Sequence, residues 1–97
     1  MDIGQAVSSM YGIVYILQSK TNSRYYIGST NNLDRRLEEH NKGFAKYTSF
    51  TRPFNLVFSQ KFDNLVIARK MESKLKRMKS RIILEKIIKD GFIKVSV

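Results

Sequence analysis

Residues 11–30 read Tyr11-Gly12-Ile13-Val14-Tyr15-Ile16-Leu17-Gln18-Ser19-Lys20-Thr21-Asn22-Ser23-Arg24-Tyr25-Tyr26-Ile27-Gly28-Ser29-Thr30. Tyr11 to Leu17 is a β-branched and aromatic run, and Arg24 to Ile27 is a second one. Between them, Lys20-Thr21-Asn22-Ser23 has turn chemistry, because short polar side chains bond the backbone beside them. The pair predicts a β-hairpin. Tyr15 and Tyr26 stand 11 positions apart. A turn with an even number of residues puts both on one face of the sheet, and a slip of one residue would separate them.

The rest of the chain is read outward from that hairpin. Ser29-Thr30-Asn31-Asn32 is a cluster of N-cap residue types and predicts a helix from about Leu33 to His40, closed by Asn41 and Gly43. Residues 43–53 read as a loop carrying Phe44, Lys46, Tyr47, Phe50 and Arg52, ended by Pro53, the only proline. Asn55 to Phe62 alternates and reads as a third strand. Asp63-Asn64 caps a second helix running to about Lys79. Ser80 caps a third, whose Ile83, Leu84, Ile87 and Ile88 make one apolar face and whose stop is Gly91. The tail Phe92 to Val97 reads as a short strand. Residues 1–10 show no period and read as a flexible N-terminal segment, leaving residues 11–97 as a single domain. The expected class is α+β, a small, mainly antiparallel three-stranded sheet flanked by helices, in the order β-β-α-β-α-α.

Composition bounds the function. The 97 residues allow one small domain, and 42% hydrophobic with 11% aromatic residues is enough for a core. There is no cysteine, which excludes disulfides, thiolate metal sites and cysteine nucleophiles. No apolar run reaches the ~18 residues of a membrane span and no signal-peptide pattern opens the chain, so the expected setting is the cytoplasm. The formal net charge is +10. Residues 1–40 are neutral, with Lys20, Arg24, Arg35 and Arg36 offset by Asp2, Asp34, Glu38 and Glu39, so residues 41–97 carry the whole excess. Such an excess points to a polyanion, with nucleic acid the default, or to a solubility charge on solvated helix faces.

A few residues stand out as candidates. Tyrosines paired across strands commonly pack with a bonded hydroxyl; the other reading of Tyr15 and Tyr26 is two phenols aimed at one site. Gly28 marks a turn or bulge, or a place where a backbone or ligand comes close. On the first helix, Arg36 and His40 lie at i and i+4, beside Leu33 and Leu37, so they point toward the protein. Arg36 is a snorkelling cation or a bidentate phosphate grip, and His40 is a boundary side chain or a proton carrier. On the second helix, a wheel at about 100° per residue puts Glu72 inside the arc of Leu65, Ile67, Ala68, Met71, Leu75 and Met78. A buried carboxylate needs an ion pair or a divalent cation, as when Mg²⁺ is held by one carboxylate, waters and a substrate phosphate.

The order of these residues resembles the GIY-YIG nuclease family. The resemblance rests on Ile13-Val14-Tyr15, Tyr26-Ile27-Gly28-Ser29-Thr30, Leu33 through Gly43 with Arg36 and His40, Arg52-Pro53, Leu56-Val57, and Ala68 through Lys76 around Glu72. It covers about residues 11–80, in the family's order and spacing, and is closest to the small single-domain bacterial members. Ile13 stands where the first motif has its Gly, and Gly12 sits one place early. No Asn follows Asn64, although some members carry a functional one after the glutamate helix.

The resemblance implies roles. Tyr15 and Tyr26 surround the attacking water, one as general base, assisted by His40. Gly28 is structural, Arg36 grips the phosphate, and Glu72 holds Mg²⁺ or Mn²⁺. A tyrosine base would need its pKa lowered by the metal or Arg36. Lys46, Tyr47, Arg52, Arg69 and Lys76 are the candidate nucleic-acid contacts, the loop residues gripping a frayed or single strand by stacking and charge. The implied activity is metal-dependent endonucleolytic hydrolysis of DNA phosphodiesters, structure-selective in a repair or recombination setting, with RNA not excluded as substrate and with no membrane partner or small-molecule cofactor. The alternative is a non-catalytic or weakly catalytic nucleic-acid-binding module; a third reading is a protein whose charge serves an acidic partner.

Overall fold

The computed structural model describes residues 11–43 and 51–94. The order is β1 (Gly12–Ser19), β2 (Tyr25–Thr30), α1 (Leu33–Asn41), β3 (Phe54–Phe62), α2 (Leu65–Met78) and α3 (Arg81–Asp90). This is the expected α+β order, β-β-α-β-α-α. The three strands form an antiparallel sheet in the order β2-β1-β3. The central strand β1 is covered on both faces, which is why its sequence reads as a continuous apolar run rather than an alternation.

Strand register sorts the side chains. Val14 and Ile16 point to one face, where they join Phe58, Ala68, Met71, Leu75, Leu84 and Ile87 in the main core under α2 and α3. Tyr15 and Leu17 point to the other, where Phe54, Tyr26, Leu33 and Leu37 complete a second cluster under α1. Tyr15 pairs with Gly28 and Leu17 with Tyr26, so both candidate tyrosines share the α1 face. The Ser19–Arg24 backbone bond closes the hairpin and leaves four residues, 20–23, in the turn.

A bulge does work that alternation alone would not. Ile16 pairs with Phe58 but Leu17 pairs with Leu56, so Val57 is an extra residue in β3. Phe54 and Phe58 have the same parity and would otherwise share a face. The bulge sends Phe58 to the main core and Phe54 to the α1 face. There the Phe54 N–H donates to Asn41 Oδ1 at 2.8 Å, tying the start of β3 to the end of α1.

The helix starts follow from their caps. The side chains of Asn32, Asn64 and Ser80 accept from the N–H groups of Arg35, Ile67 and Ile83. Gly91, at φ 82°, ends α3 in the left-handed region that favours glycine. Gly12 is a packing glycine: a Cβ there would lie 2.6 Å from Ala68 Cβ and 2.7 Å from Leu65 Cα, so β1 meets α2 closely.

Two expectations change. Ser29 and Thr30 belong to β2, and Asn32 alone caps α1. Residues 92–94 form no strand, and residues 95–97 lie outside the described residues. The reading of residues 1–10 as a flexible segment also lies outside them. Among the described residues, no helix is long and apolar enough to cross a membrane.

Candidate active site at the edge of the sheet

β2 is an edge strand, and a cleft of about 760 Å³ runs along it. The cleft takes Tyr15, Arg36 and His40 from the α1 face, and Glu72 and Lys76 from the α2 face. The two groups come together across Gly28. A Cβ on Gly28 would overlap the Tyr15 hydroxyl and Cζ, so the phenol lies directly over the glycine. The close approach expected at Gly28 is therefore made by the protein's own tyrosine.

On the α1 face, Tyr15 and His40 are buried. Tyr15 Oη lies 3.1 Å from His40 Nε2, and Arg36 Nε donates to the same oxygen at 3.4 Å. With Arg36 donating to the oxygen, the phenol's own proton is free to point at His40 Nε2. Arg36 Nη1 is also held by Glu39 Oε1 at 3.1 Å. His40 packs edge-on against both Tyr15 and Phe54, with ring centroids 5.9 and 5.8 Å apart. The residue freed by the Val57 bulge thus backs the histidine.

On the α2 face, Glu72 keeps 19% side-chain exposure and pairs with Lys76 Nζ at 2.7 Å. Its other oxygen accepts from the Ser29 hydroxyl. Of the two partners expected for a carboxylate on an apolar arc, the ion pair is present. Among the described residues, no group of three or more His, Asp or Glu side chains converges to hold a metal.

Local environments separate the titrating groups. Burial pushes the Tyr15 phenol above its usual 10.0, outweighing the hydrogen bond and charge of Arg36. Arg36 does act in the direction a tyrosine base would need, but desolvation is the larger effect. Burial also raises Tyr26, but hydrogen bonds from Asn22 and Thr51 and the charge of Arg24 outweigh it and leave its pKa lowered. Arg36 is raised, first by its bond to Tyr15 and against its own burial. His40 is lowered by burial and then by the Arg36 charge, so it is neutral at pH 7.

The remaining candidates are dispersed. The Tyr26 hydroxyl is turned to the hairpin turn, 3.3 Å from Asn22 Nδ2, although its ring lines the cleft. Arg52 does not line the cleft; its guanidinium lies over Gly43. Arg69 faces outward into a separate, shallower groove. Lys46 and Tyr47 lie outside the described residues. Two features were missed. Ser29, which holds Glu72, pairs with Val14 and so faces the main core; a polar residue at an inward position was the available signal. Tyr25 meets α3, with Arg81 4.5 Å above its ring and Glu85 at its hydroxyl, a contact spanning 60 residues that no local pattern announces.

The chain is similar to known proteins along most of its length. A family model described as the GIY-YIG catalytic domain matches residues 11–87. A UPF0213 protein of Clostridium perfringens is 40% identical over 82 residues, 79% of this chain and 87% of that protein. The UPF0213 protein YazA of Bacillus subtilis is 39% identical over 75 residues, 73% of this chain and 75% of the relative. The solution NMR structure of a UPF0213 protein from Bacillus halodurans superposes with a TM-score of 0.53 at 36% identity, covering 82% of this chain and 84% of that one. The chain belongs to the GIY-YIG nuclease family.

Proposed function

We propose that this protein is a metal-dependent endonuclease that hydrolyses phosphodiester bonds in DNA in the cleft along β2. The observation that carries the reading is the meeting, over Gly28, of a tyrosine–arginine–histidine group and a glutamate from opposite faces of one sheet. Hydrolysis of a phosphodiester needs an activated water, neutralisation of phosphate charge, and help for the leaving oxygen.

Tyr15 is assigned as the base. As a neutral phenol it takes the water's proton on its oxygen while passing its own proton to His40 Nε2, 3.1 Å away. His40 is neutral and ready to accept, because burial lowers its pKa. The relay removes any need for a free phenolate, which burial disfavours. Arg36 keeps guanidinium donors beyond those turned to Tyr15 and Glu39, and these stabilise the charge that develops on the phosphate. Tyr26 shapes the wall of the cleft. Gly28 leaves room for the Tyr15 ring.

Glu72 suits Mg²⁺ or Mn²⁺, since hard-oxygen donors fit these ions, which are commonly held by one or two carboxylates plus waters and a substrate phosphate. When bound, such an ion would supply Lewis-acid neutralisation at the phosphate and its leaving oxygen. Ser29 orients the carboxylate from below. Lys76, like Arg24 and Lys79 at the rim, supplies positive charge to the incoming strand.

One observation favours the second reading, a binding module with little or no activity: both Glu72 oxygens already have protein partners. The test is incubation with plasmid and branched DNA under Mg²⁺, Mn²⁺ and EDTA, beside Glu72→Ala. Metal-dependent cleavage that Glu72→Ala abolishes supports the hydrolase. Cleavage that survives Glu72→Ala belongs to a contaminant, and absent cleavage with steep, salt-dependent binding supports the module.

A further inference from the structure

The outer face of α2 treats its charge differently from the other helices. Four of the five Lys/Arg in α1 and α3 find an acid one turn away: Arg35 and Arg36 meet Glu39, Arg81 meets Glu85, and Lys86 meets Asp90. α2 has five Lys/Arg and one acid, Glu72, which is turned into the cleft and taken by Lys76. Arg69, Lys70 and Arg77 are exposed, and among the described residues no carboxylate lies within ion-pair distance of them. Three exposed cations with no ion pair among the described residues, Arg69, Lys70 and Arg77, share one helix face and make it a surface suited to an anion.

The shape agrees. Val66, Arg69, Lys70, Ser73, Lys74 and Arg77 line a shallow groove of about 500 Å³. Arg69 and Arg77 are eight residues apart, about 12 Å of helix axis. At ~3.4 Å of duplex axis per phosphate of one strand, this matches the axial rise of three to four phosphates. Around the helix the groove lies beside the cleft: Lys76, which lines the cleft, and Arg69, which lines the groove, are neighbours on the wheel at about 100° per residue. Val66 is the one apolar member, too little for insertion into a lipid surface.

We infer that the outer face of α2 is a second nucleic-acid site: a sequence-independent track for the phosphate backbone of duplex DNA, beside the cleft along β2. The inference rests on the nucleic-acid part of the proposed function and adds a separate surface to it. Arg69, Lys70 and Arg77 each neutralise a phosphate there, and the DNA therefore wraps the helix instead of ending at the cleft.

The test measures binding of a fluorescent 30-base-pair duplex across a range of salt concentrations in EDTA, where no metal-dependent cutting occurs. Wild type is compared with the triple variant Arg69→Gln/Lys70→Gln/Arg77→Gln, thermal melting verifying that each is folded. Each phosphate contact contributes about 0.9 to the slope of log K against log salt, so the triple variant should be shallower by about 2.7. Lys70→Gln alone should remove about a third of that change, which keeps the test open should the triple variant fail to fold. An unchanged slope in folded variants overturns the inference. Loss of binding to phosphatidylserine vesicles with unchanged DNA binding also overturns it and gives the face to a membrane. Cleavage is scored separately: the expected slope change in a protein that never cuts refutes the hydrolase alone, and equal slopes in a protein that cuts refute this track alone.

Discussion

Gly28→Ala tests how the two halves of the site are brought together. Gly28 has no positive φ, so its backbone suits any residue. By the usual rule such a Gly→Ala change stabilises by about 0.4–1 kcal/mol, through the unfolded chain's entropy. The structure predicts the opposite sign. The new Cβ would overlap the Tyr15 hydroxyl and Cζ and lie 2.9 Å from Cε1, and the tyrosine is buried with little room to withdraw. Overpacking of this kind costs about 1–3 kcal/mol. Displacing the phenol also weakens its bonds to His40 and Arg36, at about 0.5–1.5 kcal/mol each. The net loss is about 1–5 kcal/mol, or a melting temperature lower by roughly 5–40 °C. Urea denaturation of wild type, Gly28→Ala, Tyr15→Leu and the double variant isolates the cause. In the Tyr15→Leu background the ring atoms are gone, and Gly28→Ala should become neutral or stabilising. A Gly28→Ala protein as stable as wild type, or an equal cost in both backgrounds, would refute the reasoning.

Other perturbations probe the charges. Lys76→Met removes the cation 2.7 Å from Glu72 and should tighten Mn²⁺ binding to the free protein about three- to tenfold by titration calorimetry; unchanged or weaker binding counts against Glu72 as the metal's ligand. Arg36→Lys keeps the charge but loses the planar fork, and single-turnover cleavage should fall by about 10²-fold with DNA affinity little changed. Stability should also depend on pH through His40. Its folded pKa lies below the ordinary 6.5, so between these values the unfolded chain holds a proton that the folded chain does not. Stability should therefore fall as pH drops from 6.5 through the folded value, and His40→Phe should flatten that part of the curve in chemical denaturation. Tyr15, raised above 10.0, predicts a second loss of stability as pH climbs past 10.

The frame of this fold was legible where local chemistry decides it. The hairpin followed from two β-branched runs and a polar turn of even length, and the helix starts from Asn32, Asn64 and Ser80. Arg36 and His40 were placed on the inward face by their spacing beside Leu33 and Leu37, and Glu72 by its position among apolar neighbours. What stayed hidden depends on pairing between distant segments. The extra residue at Val57 leaves no mark in the alternation, yet it decides that Phe54 backs His40. The choice between Tyr15 and Tyr26 depends on where each hydroxyl points, which two residues of equal type on one face cannot reveal. Arg52 read as a strand-gripping cation because of its loop, but its side chain is folded back over Gly43.

The account turns on Tyr15 as the residue that takes the water's proton, and single-turnover cleavage by Tyr15→Phe and Tyr26→Phe measures that directly. Positioned acid–base catalysis is worth about 10²–10⁴-fold. Tyr15→Phe should lose at least about 10²-fold in rate at saturating protein, while Tyr26→Phe, whose hydroxyl faces Asn22, should stay within about tenfold of wild type. A Tyr15→Phe protein that cuts at the wild-type rate, or the reverse ranking of the two variants, would contradict the account.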